Sequence, residues 1–334
     1  MPEPANLAGT PDDAATDSTP SFRDPELERR FSEEGFVKLR ILPSDAAIAI
    51  AGRVARLYPH GVEANQPQSN WYLGLIDDDR ELALRSARLV RDAIVPSLAP
   101  LFAHARCHYA SVAIKPGGAG ATPIHQHWPT TIDPFARRIA CWVLLSDSQG
   151  SAARFRLVPR SQRILPYIRH SRSGDYFDGF SEQVERRHAR DLELSPGEAV
   201  LFEDSILHGT GANPGRQMRV AALANFVGAD MGTAALLPDG DDAFAVIDTG
   251  GRDGMAEFLE TGEWPESWRP VSRIANRNRA ISEEEFVCLL AGNEVATLDH
   301  DPLDAMRSPR SRFSRIVRRA ARVAGRWTGR GAPG

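Results

Sequence analysis

Thr122-Pro-Ile-His-Gln-His-Trp128 is the stretch on which the fold of this chain turns. Alternate residues of a strand share a face, so His125 and His127 point the same way. A third histidine, His208, stands far downstream, directly after the apolar runs Leu201-Phe202 and Ile206-Leu207. A strand end of that kind presents a side chain at the mouth of a jelly roll. Arg219 follows soon after, inside the next apolar strand, and a planar guanidinium grips a carboxylate through two parallel bonds, as lysine cannot. Three imidazoles and an arginine in this order read as a mononuclear non-haem iron site. One feature departs from the usual two-histidine, one-carboxylate set: His127 occupies the position where an acid is expected. Singly these residues say less. A histidine at a strand end is most often a hydrogen-bonded structural residue, an HxH pair suits zinc as well, and a lone arginine is ordinarily an ion-pair residue.

Outward from this stretch the texture is β-like. His108–Lys115, Arg138–Leu145, Arg154–Val158, Ala199–Phe202 and Arg219–Val227 are short apolar runs separated by turn signals such as Pro116-Gly117-Gly118 and Ser195-Pro-Gly-Glu198. The unbroken apolar character of Ile139–Leu145 predicts a strand buried on both faces. Many short strands with Pro/Gly turns predict a mainly β chain with flanking helices, built as a double-stranded β-helix of jelly-roll or cupin-like type. Helices are expected from about Pro43 to Leu57 and from Asp78 to Leu98. Another is expected at Ser282–Leu290, where Ser282 and Glu285 form a capping box. Beyond Gly228 the pattern reads otherwise as loops and helices. A polar insertion between Ile164 and Arg190 carries Tyr167, Arg169, His170, Tyr176 and Phe177. It reads either as a lid that shields reactive chemistry from water or as a surface elaboration.

Composition sets the bounds. The chain has 334 residues, 42% hydrophobic and 25% charged, which is ordinary for a globular protein with a proper core. A net charge of −4 argues against a surface that tracks nucleic acid. Cys107, Cys141 and Cys288 show no CxxC spacing, and two of them lie in apolar strands, so buried free thiols in a reducing compartment are expected. No basic stretch followed by an apolar run opens the chain, and no run approaches the roughly 20 residues of a membrane span. The expected location is cytoplasmic. Three regions are predicted: residues 1–24, disordered for want of large apolar groups; residues 25–300, the β-helix domain with helical flanks; and residues 301–334, a basic tail. Nine arginines and no acid lie between Arg307 and Arg330, with Phe313, Ile316, Val317, Ala320, Ala324 and Trp327 at helical spacing. Such a helix suits peripheral contact with an anionic membrane surface or an acidic partner.

At the motif residues the chain resembles the phytanoyl-CoA dioxygenase-like family of Fe(II)/2-oxoglutarate oxygenases, over about residues 31 to 228. The resemblance is carried by Phe31-Ser-Glu-Glu-Gly-Phe-Val-Lys-Leu39, by Ile124-His-Gln-His-Trp128 and by the Trp142 strand. It continues through Val158-Pro-Arg-Ser-Gln-Arg163, Gly197 to Gly209, and Arg219-Val-Ala-Ala222. It implies Fe(II) held by His125, His127 and His208. It implies 2-oxoglutarate chelating that iron, with its far carboxylate on Arg219 and with Thr210 and Trp142 lining the pocket. The implied reaction consumes dioxygen, releases succinate and carbon dioxide, and hydroxylates a small molecule. His127 replaces the family's aspartate, and Gln162 stands where histidine is common. The competing reading is a silent pseudo-oxygenase retained as a binding or regulatory protein. Asp133 is a candidate to replace the missing acid. Glu203 and Asp204 are expected as solvated turn carboxylates, with a hydrogen bond to a ligand imidazole as the alternative.

Overall fold

The computed structural model describes residues 21–62, 72–74, 77, 79–148, 150–164, 167–169, 175–249 and 270–292. Its first half runs α1 (Pro25–Glu34), β1 (Phe36–Arg40), α2 (Ser44–Ala55), β2 (Tyr72–Leu73), α3 (Arg80–Leu98), β3 (Ala105–Lys115), β4 (Thr122–His125) and β5 (Ile139–Leu144). There follow β6 (Arg154–Leu157), β7 (Arg190–Glu193), β8 (Glu198–Glu203), β9 (His208–Thr210), β10 (Arg219–Gly228), β11 (Ala234–Pro238), β12 (Ala243–Asp248), β13 (Pro270–Ala275) and a closing helix, Glu283–Leu290. The expected residues 1–20 and the basic tail 301–334 lie outside the described part, as does His170 of the insertion.

The apolar run at β5 explains the layering. Ala140, Trp142 and Leu144 pack with Phe155 and Leu157 of β6, whereas Ile139, Cys141 and Val143 pack beneath the helices with Val90, Ile94 and Leu98 of α3. Period-two alternation therefore divides one hydrophobic strand between two cores. The same division holds on β8 and β10. A six-stranded sheet, β1-β8-β5-β10-β3-β2, lies against a four-stranded sheet, β4-β9-β6-β7, and every pairing is antiparallel. This is the jelly-roll arrangement, with helices on the outer face of the larger sheet. Each large side chain removed from water stabilises the fold by about 1.5–3 kcal/mol.

Local signals place the helices. Asp24 caps α1 through the Glu26 and Leu27 amides, and Gly35, at φ 82°, ends it. Asp79 caps α3 through the Leu82 amide, and α3 stops at Leu98, ahead of Pro100. Ser282 accepts from the Glu285 amide and opens the closing helix, as the capping box predicts. Phe22, upstream of α1, is already packed edge-on against Phe31 and tilted against Phe102.

Two expectations are corrected. After Gly228 the chain forms a three-stranded sheet, β11-β12-β13, rather than only loops and helices. Ala234, Leu236, Phe244 and Val246 pack on Ile168; in sequence, residues 234–237 and 243–247 are short unbroken apolar runs that no alternation marks as strands. The insertion is not a surface elaboration in its described parts. Tyr167, Tyr176, Phe177, Phe180 and Val184 form a third core with Phe286 around Ile124 and Leu207, the residues immediately before His125 and His208.

Candidate metal centre and acid pocket

β4 and β9 are neighbours, and His125 stands directly opposite His208 in their register. β4 ends at His125, but the His127 amide donates to the Asp204 carbonyl at 3.0 Å, which holds the chain's course past the strand end. Gln126 turns the other way and its amide donates to the Tyr167 carbonyl. The three imidazoles converge, with one ring nitrogen from each within 4.8 Å of the others.

Each ring is fixed from behind. His125 Nδ1 donates to the Pro123 carbonyl at 2.8 Å, His208 Nδ1 to the Ile206 carbonyl at 2.9 Å, and His127 Nδ1 to the Asp204 carboxylate at 2.9 Å. These partners can only accept, so each Nδ1 carries a proton and each ring turns its Nε2 edge inward. Burial, followed by the charge of Arg169, pushes His125 down to about 3. Burial and the other two histidines hold His208 well below the usual range. Rings kept neutral are rings ready to ligate. The Nε2 atoms of His127 and His208 stand 3.1 Å apart. Two nitrogen ligands about 2.1 Å from one ion, at right angles, are about 3.0 Å apart. That spacing is the one a shared divalent cation would impose, so the donor set fits a metal ion.

The acid missing from position 127 stands one hydrogen bond farther out. Asp204, 2% exposed, accepts from His127, from Arg138 Nε at 3.2 Å and from Asn225 Nδ2 at 2.9 Å on both oxygens. Burial alone would raise its pKa; His127, Arg138 and Asn225 outweigh it and hold the carboxyl below the usual range. The expectation of a solvated turn carboxylate is therefore wrong for Asp204. A β-bulge between Asn225 and Phe226 interrupts the register with β3 at this point on β10. Asp133 is exposed, bonds the Phe135 amide and does not join the cluster. Glu203 takes a hydrogen bond from Ser205. The Phe155 ring lies parallel to His208 at 5.7 Å and Phe202 packs at 4.4 Å, giving the cluster an apolar floor.

A second feature lies along the interior of the larger sheet. Arg219 is 3% exposed, its Nε and Nη1 have no hydrogen-bond partner among the described residues, and its guanidinium sits 5.2 Å from the centre of the Trp142 ring. Burial pulls it down to about 10. Lys115 is its direct partner across the β3–β10 register. Lys115 Nζ donates to the Gly120 carbonyl at 2.7 Å and to Thr122 Oγ1 at 2.9 Å, and Thr210 donates to the same Thr122 oxygen at 3.0 Å. No carboxylate pairs with either cation among the described residues. An unpartnered buried guanidinium beside two hydroxyls fits the acid end of a small ligand.

The insertion supplies a wall near His125. Arg169 is buried, donates to the Gln126 carbonyl and stands 3.4 Å from Asp175. Cys107 and Cys141 are buried free thiols, as expected, while Cys288 is exposed. The structure brings His125, His127 and His208 together and sets Trp142 beside Arg219, while Lys115, Arg138 and Asn225, which the sequence did not single out, stand among them. The available signals were faint: Asn225 is the one polar residue between Val220 and Val227 of an apolar strand, and Lys115 is one of two lysines in an arginine-rich chain.

Comparison with known proteins adds a family. The profile described as phytanoyl-CoA dioxygenase (PhyH) matches residues 33–221. No curated protein matches the chain. Among solved structures the chain is similar to the non-heme α-ketoglutarate-dependent epimerase SnoN from nogalamycin biosynthesis, at 18% identity and a TM-score of 0.47, covering 76% of this chain and 94% of that one. It is also similar to HygX from Streptomyces hygroscopicus, solved with nickel and 2-oxoglutarate, at 14% identity and a TM-score of 0.42, covering 61% and 87%. EctD from S. alaskensis with bound Fe is similar at 16% identity and a TM-score of 0.42, covering 63% and 82%. No helix among the described residues is long and apolar enough to cross a membrane.

Proposed function

The chain belongs to the phytanoyl-CoA dioxygenase family, an oxidoreductase family that uses iron and 2-oxoglutarate, and from that premise we propose that it hydroxylates a small molecule at a three-histidine iron centre. His125, His127 and His208 would hold the metal, and Arg219, with Thr210 and Trp142, would hold the far carboxylate of the co-substrate. The observation that carries this reading is the convergence of three inward Nε2 atoms, each backed by an acceptor on Nδ1. When bound, iron and 2-oxoglutarate supply, with dioxygen, the oxidising power for attack on a substrate C–H bond.

The protein's own residues do the rest. The Pro123 and Ile206 carbonyls lock two rings in the ligating tautomer. Asp204 does the same for His127 and adds negative charge behind it, making that imidazole a stronger donor. Its charge offsets, from one hydrogen bond away, the carboxylate that position 127 lacks. Phe155 and Phe202 exclude water from one side. Arg219 orients the acid end by paired N–H groups, while the Trp142 ring supports the guanidinium from its face.

Anaerobic titration of metal-stripped protein with Fe(II), then 2-oxoglutarate, tests the assignment through the weak visible charge-transfer band of the chelate. The band is expected in the native protein and absent in His208→Ala and Arg219→Leu. No band and no tight iron binding in the native protein would overturn the three-histidine reading.

A further inference from the structure

Resting on the reading of Arg219 as a carboxylate anchor, we propose that Lys115 is a second cation of that pocket, and that its Nζ takes up a proton as the co-substrate's far carboxylate binds. The register places it there. Tyr109 and Ala113 on β3, like Ala221 and Leu223 on β10, line the space between the two sheets. Lys115 and Arg219 continue those rows at the same level. Asn213 fixes this strand end by donating to the Lys115 and Pro116 carbonyls.

The hydrogen bonding of Nζ leaves a vacancy of the right kind. Lys115 is 0% exposed, yet among the described residues its amine meets only two acceptors, both neutral: the Gly120 carbonyl and the Thr122 hydroxyl. A neutral amine has two N–H groups, and both are used. The remaining valence is a lone pair, which becomes a third donor on protonation. Thr122 in turn accepts from both Lys115 and Thr210, so its own hydroxyl proton is free to meet an incoming oxygen.

Charge points the same way. Arg219 is the charged group that faces Lys115; the flanking groups of β4, β9 and β5 are Thr122, Thr210 and Trp142, none of which titrates. Two buried cations without a counter-ion are costly to keep side by side. Burial first, then Arg219, pulls Lys115 down to about 7. A carboxylate arriving between them reverses both effects, so the amine R–NH2 gains H+ from solvent and becomes R–NH3+. A monocarboxylate chelator with no far acid would bring no such uptake. A lysine that merely tied β3 to β4 would show none of this dependence.

Anaerobic calorimetry of the full-length, iron-loaded protein with 2-oxoglutarate, in PIPES and Tris buffers of different ionisation enthalpy, tests the proposal without turnover. At pH 8 close to one proton is expected per ligand bound. Because proton uptake accompanies binding above the free amine's pKa, affinity must fall as pH rises. From pH 6 to 8.5 the native Kd should rise about thirty-fold. Lys115→Met should bind at least ten-fold more weakly at pH 6, with less than two-fold pH dependence. Lys115→Arg, which keeps the cation without titrating, should bind at all pH values with the slope removed. The Co(II) spectrum of the three-histidine site reports whether each variant is folded. A native slope that persists unchanged in Lys115→Met or Lys115→Arg would overturn the role of Lys115. Failure of the native iron-loaded protein to bind 2-oxoglutarate at any pH would overturn the pocket assignment itself, and with it this proposal.

Discussion

Replacing Asp204 with asparagine preserves shape and removes one charge, and its cost follows from the bonds described above. The carboxylate accepts from His127, Arg138 and Asn225, all of which are donors. An amide offers a single oxygen, so at least one donor must then face its NH2 group. Arg138 also loses its counter-charge while buried. Breaking a buried pair in this way costs about 3–5 kcal/mol. Arg138 keeps bonds to Thr131 Oγ1 and to the Pro134 and Ala136 carbonyls, which puts the loss at the lower end. About 3 kcal/mol corresponds to a fall of roughly 6–12 °C in the Tm of the apo-protein. Separately, loss of the acceptor behind a ligating imidazole lowers metal affinity about 10–100-fold. Circular-dichroism melts of the apo-protein and anaerobic Fe(II) competition with a chelator measure the two effects. Asn225→Ala is the control: it removes one donor, keeps the charge and should cost stability of about 1–3 kcal/mol with little change in iron affinity. If Asp204→Asn bound iron within two-fold of the native protein, Asp204 would be a structural residue and the displaced-acid explanation would fail.

Other predictions concern the same surroundings. His127→Asp, which restores the usual ligand type, should weaken rather than strengthen Fe(II) binding, because it sets a carboxylate toward Asp204 and removes the donor between them. Combined with Asp204→Asn the loss should be partly recovered; calorimetric titration of the four proteins completes the cycle, and additive effects would contradict the coupling. Asp175 supplies a pH dependence. Burial raises its pKa from 3.8 to about 6, against the opposing pull of Arg169. The folded state thus holds its proton more tightly than the unfolded chain, and the stability this confers is present below about pH 4 and lost as pH rises through 6. The difference amounts to on the order of 3 kcal/mol. Urea midpoints from pH 4 to 7.5 should fall less steeply in Asp175→Asn than in the native protein, and parallel curves would refute the assignment.

The layered β architecture was legible because hydrophobic period and turn chemistry agree along β3, β5, β8 and β10. The convergence of His125 and His127 with His208 was legible in part because alternate residues of a strand share a face, and that constraint is local. What escaped was the non-local part. Asp204 reads as a turn acid until β10 brings Asn225 beneath it and Arg138 closes the other side. Lys115 reads as a strand-end cation until the register sets it opposite Arg219. The sheet β11-β12-β13 escaped because β11 and β12 are short continuous apolar runs without alternation, which periodicity alone does not assign to a strand, and β13 is mostly exposed. The insertion misled in the opposite way: its polar composition hides Tyr176 and Phe177, which are buried in a cluster that Phe286, from far along the chain, joins through Phe180.

The pairing of His125 with His208 also has a consequence during synthesis. The first two histidines leave the ribosome together, whereas the strand that completes the set lies roughly 80 residues later, about 4 to 16 s at ordinary rates of elongation. For that interval the nascent chain displays a two-histidine motif with no third arm, and the strand carrying it has no neighbour. If the three histidines hold a metal as proposed, the order of translation would separate weak early capture, open to any divalent ion, from tight late capture, which requires β9 to have docked. On that reading metal identity would be decided in the finished sheet rather than on the emerging chain.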